Sequence, residues 1–427
     1  MIETLKNAWR VPELRKKLIY TAFIILLFRL GSSIPVPYID VTALAQYFDS
    51  VSGTMLGYMN VFSGGGLSRA TIFAMSVTPY INASIIIQLL TVAIPALERM
   101  VRDEGEEGRK KISAITRYLG VALGLLQGYS YYVLLRSNSL IKETDFWHGV
   151  VIVLTFTAGT ALIMWMGELI TKNGVGNGIS ILLFAGIVSR GPSMASSMVE
   201  LVRGGGISVF IAVLIVVISL AIVAFVVFIS EAERRIPIQY AKRVVGRKMY
   251  GGQSTHLPIK VNASGVMPII FAASIMSIPS TIQMMVNPKA GSLAETIFNL
   301  FSSSNPFYIV LYVLLIFMFS YFYAAIQFNP IEIANNLKKN GGFIPGFRPG
   351  RPTSDFITKA LGKVTFLGAI FLSIVAGVPL IVGAFNSSLS GVALGGTSVL
   401  ILVGVALETV RQLESQLMMR NYKGFLE

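Results

Sequence analysis

Ten stretches of this chain are each apolar over about 20 residues, the length that a helix needs to cross the hydrocarbon core of a bilayer. Charged residues make up 13% of the chain, against about 25% in soluble globular proteins. The sequence therefore predicts an all-α polytopic membrane protein with ten transmembrane helices. The expected spans are residues 18–34, 70–95, 114–135, 147–170, 178–200, 207–230, 265–285, 307–328, 364–385 and 392–410.

Lysine and arginine predict the orientation of these spans, because loops rich in the two residues stay on the cytoplasmic side. Loops on the side of the N-terminus hold 28 of the 35 Lys and Arg residues, and loops on the opposite side hold six. Both termini are therefore predicted to be cytoplasmic. The net charge of +14 needs no nucleic acid to explain it, although the long basic loops leave open an acidic partner.

Five spans precede Leu201 and five follow it, so the two halves of the chain have opposite orientations. This parity permits two inverted pseudo-symmetric halves with a working site between them near the midplane of the membrane. We expect an N-terminal half over residues 1–200 and a C-terminal half over residues 201–427.

The sequence holds little that catalysis or metal binding would use. It has no cysteine and two histidines, and it lacks a nucleophile elbow, a zinc-protease motif and a phosphate-binding loop. The glycine-rich residues 174–178 follow a predicted span instead of a strand, so we interpret them as a tight turn between the fourth and fifth spans. We expect no enzyme activity, no cofactor and no metal.

The predicted spans also hold almost no ionisable residue at mid-depth, where ion-coupled transporters usually carry one. This scarcity argues against a secondary transporter with broken helices, a class that shares inverted repeats. From the residues alone, such a transporter stays open as the alternative function.

Residues 55–62 form an apolar segment that is too short to cross a bilayer. Gly64, Gly65 and Gly66 separate it from a longer apolar piece that begins at Leu67. Irregular backbone at membrane depth persists only where protein or a water-filled cavity satisfies its polar groups. The pattern therefore predicts a cavity that holds a movable segment, with the glycines as its flexible hinge.

Two long loops on the predicted cytoplasmic side differ in pattern. In residues 231–264, apolar and polar residues alternate around Ile238 and Ile259, which predicts a β-hairpin with a basic tip, although a merely solvated loop stays open. Residues 329–363 are rich in proline and glycine, which predicts irregular structure over 335–352. Exposed Phe343, Ile344 and Phe347 beside Arg348 would make a docking site there. The alternative is that Arg348 serves only to keep this loop on the cytoplasmic side.

Six segments spread along the whole chain resemble the SecY/Sec61α family of protein-conducting channels. They are residues 62–70 (FSGGGLSRA), 79–90 (PYINASIIIQLL), 105–112 (GEEGRKKI), 176–180 (GNGIS), 253–258 (QSTHLP) and 346–350 (GFRPG). The resemblance implies ten helices in two inverted halves around an hourglass pore, a plug at about residues 54–64, and a lateral gate between the second and seventh spans. It implies a channel that passes unfolded polypeptides across the cytoplasmic membrane of a bacterium and releases transmembrane segments into lipid.

The resemblance also assigns roles to individual residues. The constriction of the pore would be a ring of aliphatic side chains, formed by Val77, Ile81, Ile179, Leu183, Ile270 and Ile401. The plug and its hinge would include Met55, Leu56, Tyr58, Met59, Val61, Phe62, Gly64, Gly65 and Gly66. Polar contacts at the lateral gate would come from Gln88 and Asn262.

The family implies partners as well. They are the SecE and SecG membrane subunits, the SecA motor ATPase, a translating ribosome, preproteins that bear signal sequences, and membrane lipid. Because the chain has no nucleotide site of its own, energy must come from such a partner. The docking residues would be Arg348, Arg247, Lys248, Lys338 and Lys339.

Overall fold

The computed structural model describes the chain except for residues 1, 51–55, 58–59, 61–62, 144, 205–207, 241–242, 246–247, 251–253, 287–291, 303–304, 386–394 and 424–427. The fold is mostly helical, with two small antiparallel sheets. In chain order the helices are α1 (Ile2–Arg10), α2 (Pro12–Gly31), α3 (Val41–Ser50), α4 (Thr78–Ala93), α5 (Pro95–Arg102), α6 (Gly105–Ser137), α7 (Phe146–Asn173), α8 (Gly178–Val188), α9 (Gly191–Arg203), α10 (Val209–Glu231), α11 (Met267–Val286), α12 (Leu293–Leu300), α13 (Pro306–Gln327), α14 (Pro330–Lys339), α15 (Arg351–Phe385) and α16 (Gly395–Lys423). The strands are β1 (Glu233–Tyr240), β2 (Arg243–Val245), β3 (Lys248–Tyr250), β4 (Ser254–Lys260) and β5 (Gly342–Phe343).

A helix lies at each of the ten predicted spans. Within the described residues, seven helical segments are long and apolar enough to cross a membrane, and an eighth qualifies if α4 and α5 count as one broken span bent by 103°. The chain is therefore a multi-pass membrane protein, and the total of ten spans stays a prediction. The predicted fifth span is interrupted, since α8 ends at Val188 and α9 begins at Gly191.

The second span differs from its prediction. We expected a continuous apolar helix over 70–95, but residues 67–77 form consecutive turns and α4 begins only at Thr78. Pro79 lies in the first turn of α4, where its missing N–H leaves no hydrogen bond unmade. Ala70 and Ser76 have positive φ angles of 44° and 52°, which a helix does not allow.

The chain divides into two compact units. The first comprises residues 1–215, 273–309 and 379–427, and the second comprises residues 216–272 and 310–378. The division into sequence halves at residue 200 stays a prediction.

In the first unit, α6 packs against both α4 and α7, and glycines set how closely the backbones approach. A Cβ atom at Gly124 of α6 would lie 3.1 Å from the methyl carbon of Thr160 on α7. A Cβ atom at Gly159 of α7 would overlap the carbonyl oxygen of Ile72. Small residues at such crossings allow helices in a membrane to make close van der Waals contact. The α4–α6–α7 group is therefore tightly packed.

In the second unit, β1 pairs with β4 along its length, with Ile236 opposite Leu257 and Ile238 opposite Thr255. The predicted hairpin is thus confirmed. The second sheet, β2 with β3, forms its tip. A third strand pairs with the other edge of β1, where Gln239 lies opposite Phe343 of β5.

The prediction of irregular structure over 335–352 is wrong at both ends, because α14 extends to Lys339 and α15 begins at Arg351. Asn329 caps α14 by accepting a hydrogen bond of 3.3 Å from the backbone N–H of Glu332, and Pro330 follows at the first helical position. The expected exposure of Ile344 is also wrong, since its side chain is 2% exposed. It belongs to a core that joins the sheet, α14 and α15, formed by Ile236, Ile238, Ile259, Leu337, Ile344, Ile357, Ala360, Leu361 and Val364.

Candidate functional site

Residues 63–68 form a compact turn that bonds back to Asn60, and Asn60 together with residues 63–68 is hereafter the plug turn. Gly64 and Gly65 have φ angles of 66° and 84°, a left-handed conformation that glycine adopts without strain. Asn60 and Ser63 are 7% and 4% exposed. The turn is therefore largely buried.

Hydrogen bonds within the plug turn converge on Asn60. Its carbonyl oxygen accepts a bond of 2.8 Å from the N–H of Gly65 and one of 3.0 Å from the hydroxyl of Ser63. Its side-chain oxygen Oδ1 accepts a bond of 3.0 Å from the N–H of Ser68. The N–H of Leu67 donates to the Ser63 hydroxyl over 3.2 Å. The stretch that we predicted as a flexible hinge is thus folded on itself by side-chain and backbone bonds.

The plug turn packs against the C-terminal end of α8. A Cβ atom at Gly64 would lie 3.0 Å from the carbonyl oxygen of Gly186 and 3.3 Å from the hydroxyl oxygen of Ser189. On its other side, Leu67 offers its carbonyl oxygen to the hydroxyl of Tyr131, which donates a hydrogen bond of 2.6 Å. Tyr131 is on α6 and is fully buried. The sequence reasoning did not identify Tyr131, and nothing in the local pattern marks it.

The structure describes only some of the predicted plug residues. Leu56 is partly buried and packs on a cluster built from α3, α6, α7 and residues 67–75. Five other predicted plug residues lie outside the described part of the chain, namely Met55, Tyr58, Met59, Val61 and Phe62.

Two predicted ring residues lie at the beginning of α4. Val77 is the residue before the helix, and the N–H of Ile81 donates a bond of 3.0 Å to its carbonyl oxygen. The two side chains are therefore one helical turn apart on one face, as their spacing predicted. Val77 is 1% exposed and Ile81 is half-buried.

Two more predicted ring residues lie on α8, which begins at the predicted tight turn over 174–178. Asn177 caps this helix, because its Oδ1 accepts bonds of 3.1 Å and 3.3 Å from the N–H groups of Ile179 and Ser180. Leu183 follows Ile179 by one turn and is 4% exposed. The side chain of Ile179 occupies the space beside Gly167 on α7, so this residue packs on its neighbour.

Ile401 lies on α16, which packs against α8, and it is 1% exposed. The first unit thus holds five of the six predicted ring residues, on α4, α8 and α16. The sixth, Ile270, is 8% exposed on α11 and belongs to the second unit. Its neighbour Phe271 packs edge to face on Phe319, with ring centroids 5.6 Å apart.

The predicted gate residues are polar side chains without strong partners. The amide nitrogen of Gln88 donates a bond of 3.3 Å to the hydroxyl of Ser84, one turn earlier in α4. In the second unit, Asn262 lies in the turn before α11. Its Oδ1 is buried and has no hydrogen-bond partner among the described residues.

The predicted docking residues that the structure describes lie around the three-stranded sheet and its hairpin. Lys338 and Lys339 are exposed at the end of α14, and Arg348 is exposed just before α15. The backbone of Arg348 is held in place, because its carbonyl oxygen accepts a bond of 2.8 Å from the buried hydroxyl of Thr353. Lys248 begins β3, and Arg247 lies outside the described residues.

Among the described residues, no group of three or more His, Asp or Glu side chains could hold a metal ion. Close pairs of opposite charge do occur. Arg117 on α6 lies 3.3 Å from the carboxylate of Glu168 on α7. This pair links α6 to α7.

The comparisons with known proteins cover the whole chain. The SecY family model matches residues 71–410. Relatives named "Protein translocase subunit SecY" from Streptomyces scabiei and Mycobacterium tuberculosis are each 44% identical, over 100% of this chain and 100% of their own. A solved structure described as "The structure of a protein conducting channel" matches with a TM-score of 0.65 at 17% identity, over 96% of both chains. Canine Sec61, solved in a ribosome–channel complex, matches with a TM-score of 0.62 at 15% identity, also over 96% of both.

Proposed function

Because the chain belongs to the SecY family of protein translocase subunits, we propose that a plug and an aliphatic ring together seal its pore for polypeptides. The family is one of channel subunits and not of enzymes. Its membership also removes the secondary transporter that the residues alone left open. Transmembrane segments of the substrate would leave the pore sideways through a lateral gate.

One observation carries this proposal. The plug turn contacts the backbone of Gly186, and Leu183 of the proposed ring precedes Gly186 by three residues on the same helix. Three residues of α-helix rise about 4.5 Å. The attachment point of the plug therefore lies within one helical turn of the proposed constriction, which is the placement that a two-part seal requires.

The chemistry of the ring suits a polypeptide channel. A narrow apolar constriction loses its water, and this dewetting blocks hydrated ions. Aliphatic side chains also offer no hydrogen bonds that would hold a passing chain. The ring Val77, Ile81, Ile179, Leu183, Ile270 and Ile401 can therefore exclude ions at rest and still let a peptide slide.

Ion conductance across planar bilayers tests the seal. We expect Ile81→Ser, Leu183→Ser and Ile401→Ser, combined in one chain, to raise the resting conductance and leave folding unchanged. The matched control combines Leu90→Ser, Val188→Ser and Ile278→Ser, which alter exposed aliphatic positions on similar helices. Equal conductance in the two triple variants would reject the ring assignment.

We propose the lateral gate at Gln88 and Asn262 because both amides are available for new hydrogen bonds. Gln88 bonds only within its own helix, and Asn262 Oδ1 has no partner in the described part of the chain. Hydrogen bonds between helices in membranes average about 0.6 kcal/mol. A gate held by one or two such bonds would stay shut at rest and open when a signal helix competes for them.

We propose that the exposed cations around the sheet bind the partner that supplies energy, either the SecA motor ATPase or a translating ribosome. Arg348 offers a planar guanidinium that suits carboxylates, and Lys338 and Lys339 add charge nearby in sequence. Lys248 and Arg247 would extend the surface at the hairpin tip. Contact with ribosomal RNA would weaken steeply with salt, whereas contact with a protein motor would depend less on salt.

We also propose the cytoplasmic membrane of a bacterium as the location, with both termini on the cytoplasmic side. The named relatives come from bacteria, and the asymmetry of Lys and Arg between the loops supports the cytoplasmic side for both termini. SecE and SecG would be the companion membrane subunits. Exposed apolar faces, such as that of α10, are available to them or to lipid.

A further inference from the structure

The N-terminal helix α1 carries four columns of side chains along its nine residues. Residues four apart in an α-helix lie on one face, and adjacent columns are turned by about 100°. Thr4 and Ala8 form the first column. Leu5 with Trp9 forms the second, and Lys6 with Arg10 forms the third. Glu3 with Asn7 forms the fourth, which is polar and exposed.

The first column attaches α1 to the end of α16. The hydroxyl of Thr4 donates a bond of 2.9 Å to the carboxylate of Glu414, and Ala8 is 0% exposed. Ala8 belongs to a small core with Leu14, Val175 and Leu413. This attachment fixes the rotation of α1, so the direction of its other columns is fixed as well.

The second column is apolar and uncovered. Leu5 is 46% exposed and Trp9 is 54% exposed. On the following helix α2, Ile19, Phe23, Leu26 and Leu30 are also each more than half exposed. A helix with this arrangement beside an apolar span has the form of an interfacial helix, whose apolar side enters the boundary between headgroups and acyl chains.

The third column is basic and exposed, with Lys6 and Arg10 next to the apolar column. We propose that α1 lies in the membrane interface and binds the headgroups of anionic phospholipids through Lys6 and Arg10, with Leu5 and Trp9 in the acyl boundary. The complementary charge selects anionic lipid over zwitterionic lipid. Each basic residue near an anionic surface contributes about fivefold in affinity.

The scarcity of tryptophan makes this contact measurable. The chain has three tryptophans, and the other two, Trp147 and Trp165, are 72% and 59% exposed. Trp147→Phe with Trp165→Phe therefore leaves Trp9 as the only indole. Brominated lipids quench the fluorescence of an indole that they touch. The full chain would be reconstituted in vesicles that carry the bromine either on an anionic lipid or on a zwitterionic one.

We expect Trp9 to be quenched by both lipids and several-fold more effectively by the anionic one. Lys6→Gln with Arg10→Gln should remove this preference while quenching persists. Arg109→Gln with Lys110→Gln removes two exposed cations at the start of α6 and should leave the preference intact. Equal quenching by the two lipids in the single-tryptophan protein would overturn the proposal. Absence of quenching by either lipid would overturn it as well. Shielding of Trp9 on addition of the companion subunits would then show that α1 binds protein.

Discussion

The hydroxyl of Tyr131 on α6 donates a hydrogen bond of 2.6 Å to the carbonyl oxygen of Leu67, and both residues are buried. This bond joins the plug turn to the tightly packed α4–α6–α7 group. The same carbonyl oxygen also accepts a bond of 3.0 Å from the N–H of Ala70, so Tyr131 supplies a second, tertiary bond to the irregular backbone over 67–77.

Tyr131→Phe should loosen the plug turn. It removes one of the two hydrogen bonds to the Leu67 carbonyl oxygen, a loss of about 0.5–1.5 kcal/mol, so the closed arrangement should become less stable and the resting ion conductance of reconstituted protein should rise. Tyr129→Phe is the matched control, because Tyr129 is 48% exposed on the same helix. If the two variants conduct alike, the bond does not hold the seal.

The glycines of the plug turn should differ in their tolerance of alanine. At Gly65 a Cβ atom meets nothing within 4 Å, so Gly65→Ala carries only the left-handed backbone cost of about 1–2 kcal/mol. Gly64→Ala adds a contact of 3.0 Å with the carbonyl oxygen of Gly186. We therefore expect the larger leak of ions from Gly64→Ala. Gly65→Asn should be the mildest of the three, since asparagine adopts this conformation more readily. A reversed order would show that the turn is not placed against α8.

Asn177→Ala should destabilise the first turn of α8. It removes the side-chain oxygen that caps the N–H groups of Ile179 and Ser180, which costs about 0.5–2 kcal/mol. The thermal unfolding midpoint in detergent should fall, and the leak of ions should rise because Ile179 shifts. Asn177→Asp keeps a capping oxygen and should retain both properties. A leak that is the same in both variants would mean that the cap does not position the ring.

Arg348→Glu should abolish most ATP-driven translocation into inverted vesicles while the protein remains inserted and folded. Arg351→Glu is the control, since Arg351 is exposed three residues later and has the same charge. Equal loss in both variants would point to overall charge instead of a specific contact. Normal translocation by Arg348→Glu would reject the docking site.

Asp40 makes one part of the stability depend on pH. The N–H of Ala43 donates a hydrogen bond to its carboxylate and, with a second bond from Thr42, holds the pKa of Asp40 below its usual value of 3.8. A carboxyl with a lowered pKa stabilises the fold above its unfolded pKa, and this contribution is lost as pH falls through the folded value. The unfolding midpoint should therefore drop more in the wild type than in Asp40→Asn below about pH 4. If the unfolding midpoints of the two proteins fall in parallel as the pH is lowered, the hydrogen bonds from Thr42 and Ala43 to Asp40 are not the cause of the pH dependence.

Hydropathy and charge predicted the helices well, because a bilayer imposes a length and a polarity on every segment that crosses it. The alternation around Ile238 and Ile259 likewise predicted β1 and β4, whose pairing is local. The strand β5 escaped notice because Phe343 pairs with Gln239, about a hundred residues away in sequence. Two residues of strand leave no periodic pattern, and only the partner edge makes Gly342–Phe343 a strand.

The plug turn shows a similar limit. Composition identified its glycines as a place where the helix breaks, and the structure adds that the break is held by bonds to Asn60 and Tyr131. Such bonds depend on the position of α6, which no local window contains. The ring residues are ordinary aliphatic side chains, so only the family resemblance distinguished Leu183 or Ile401 from lipid-facing neighbours.

The helix α15 has a mechanical consequence. Its first turns carry Ile357, Leu361 and Val364 in the core beneath the sheet, and the helix then continues as an apolar span to Val378. The 28 residues of Arg351–Val378 make a helix roughly 40 Å long. A partner that displaces the sheet would therefore move a stiff helix instead of bending a loop. The displacement would reach apolar residues of the same helix tens of ångströms away.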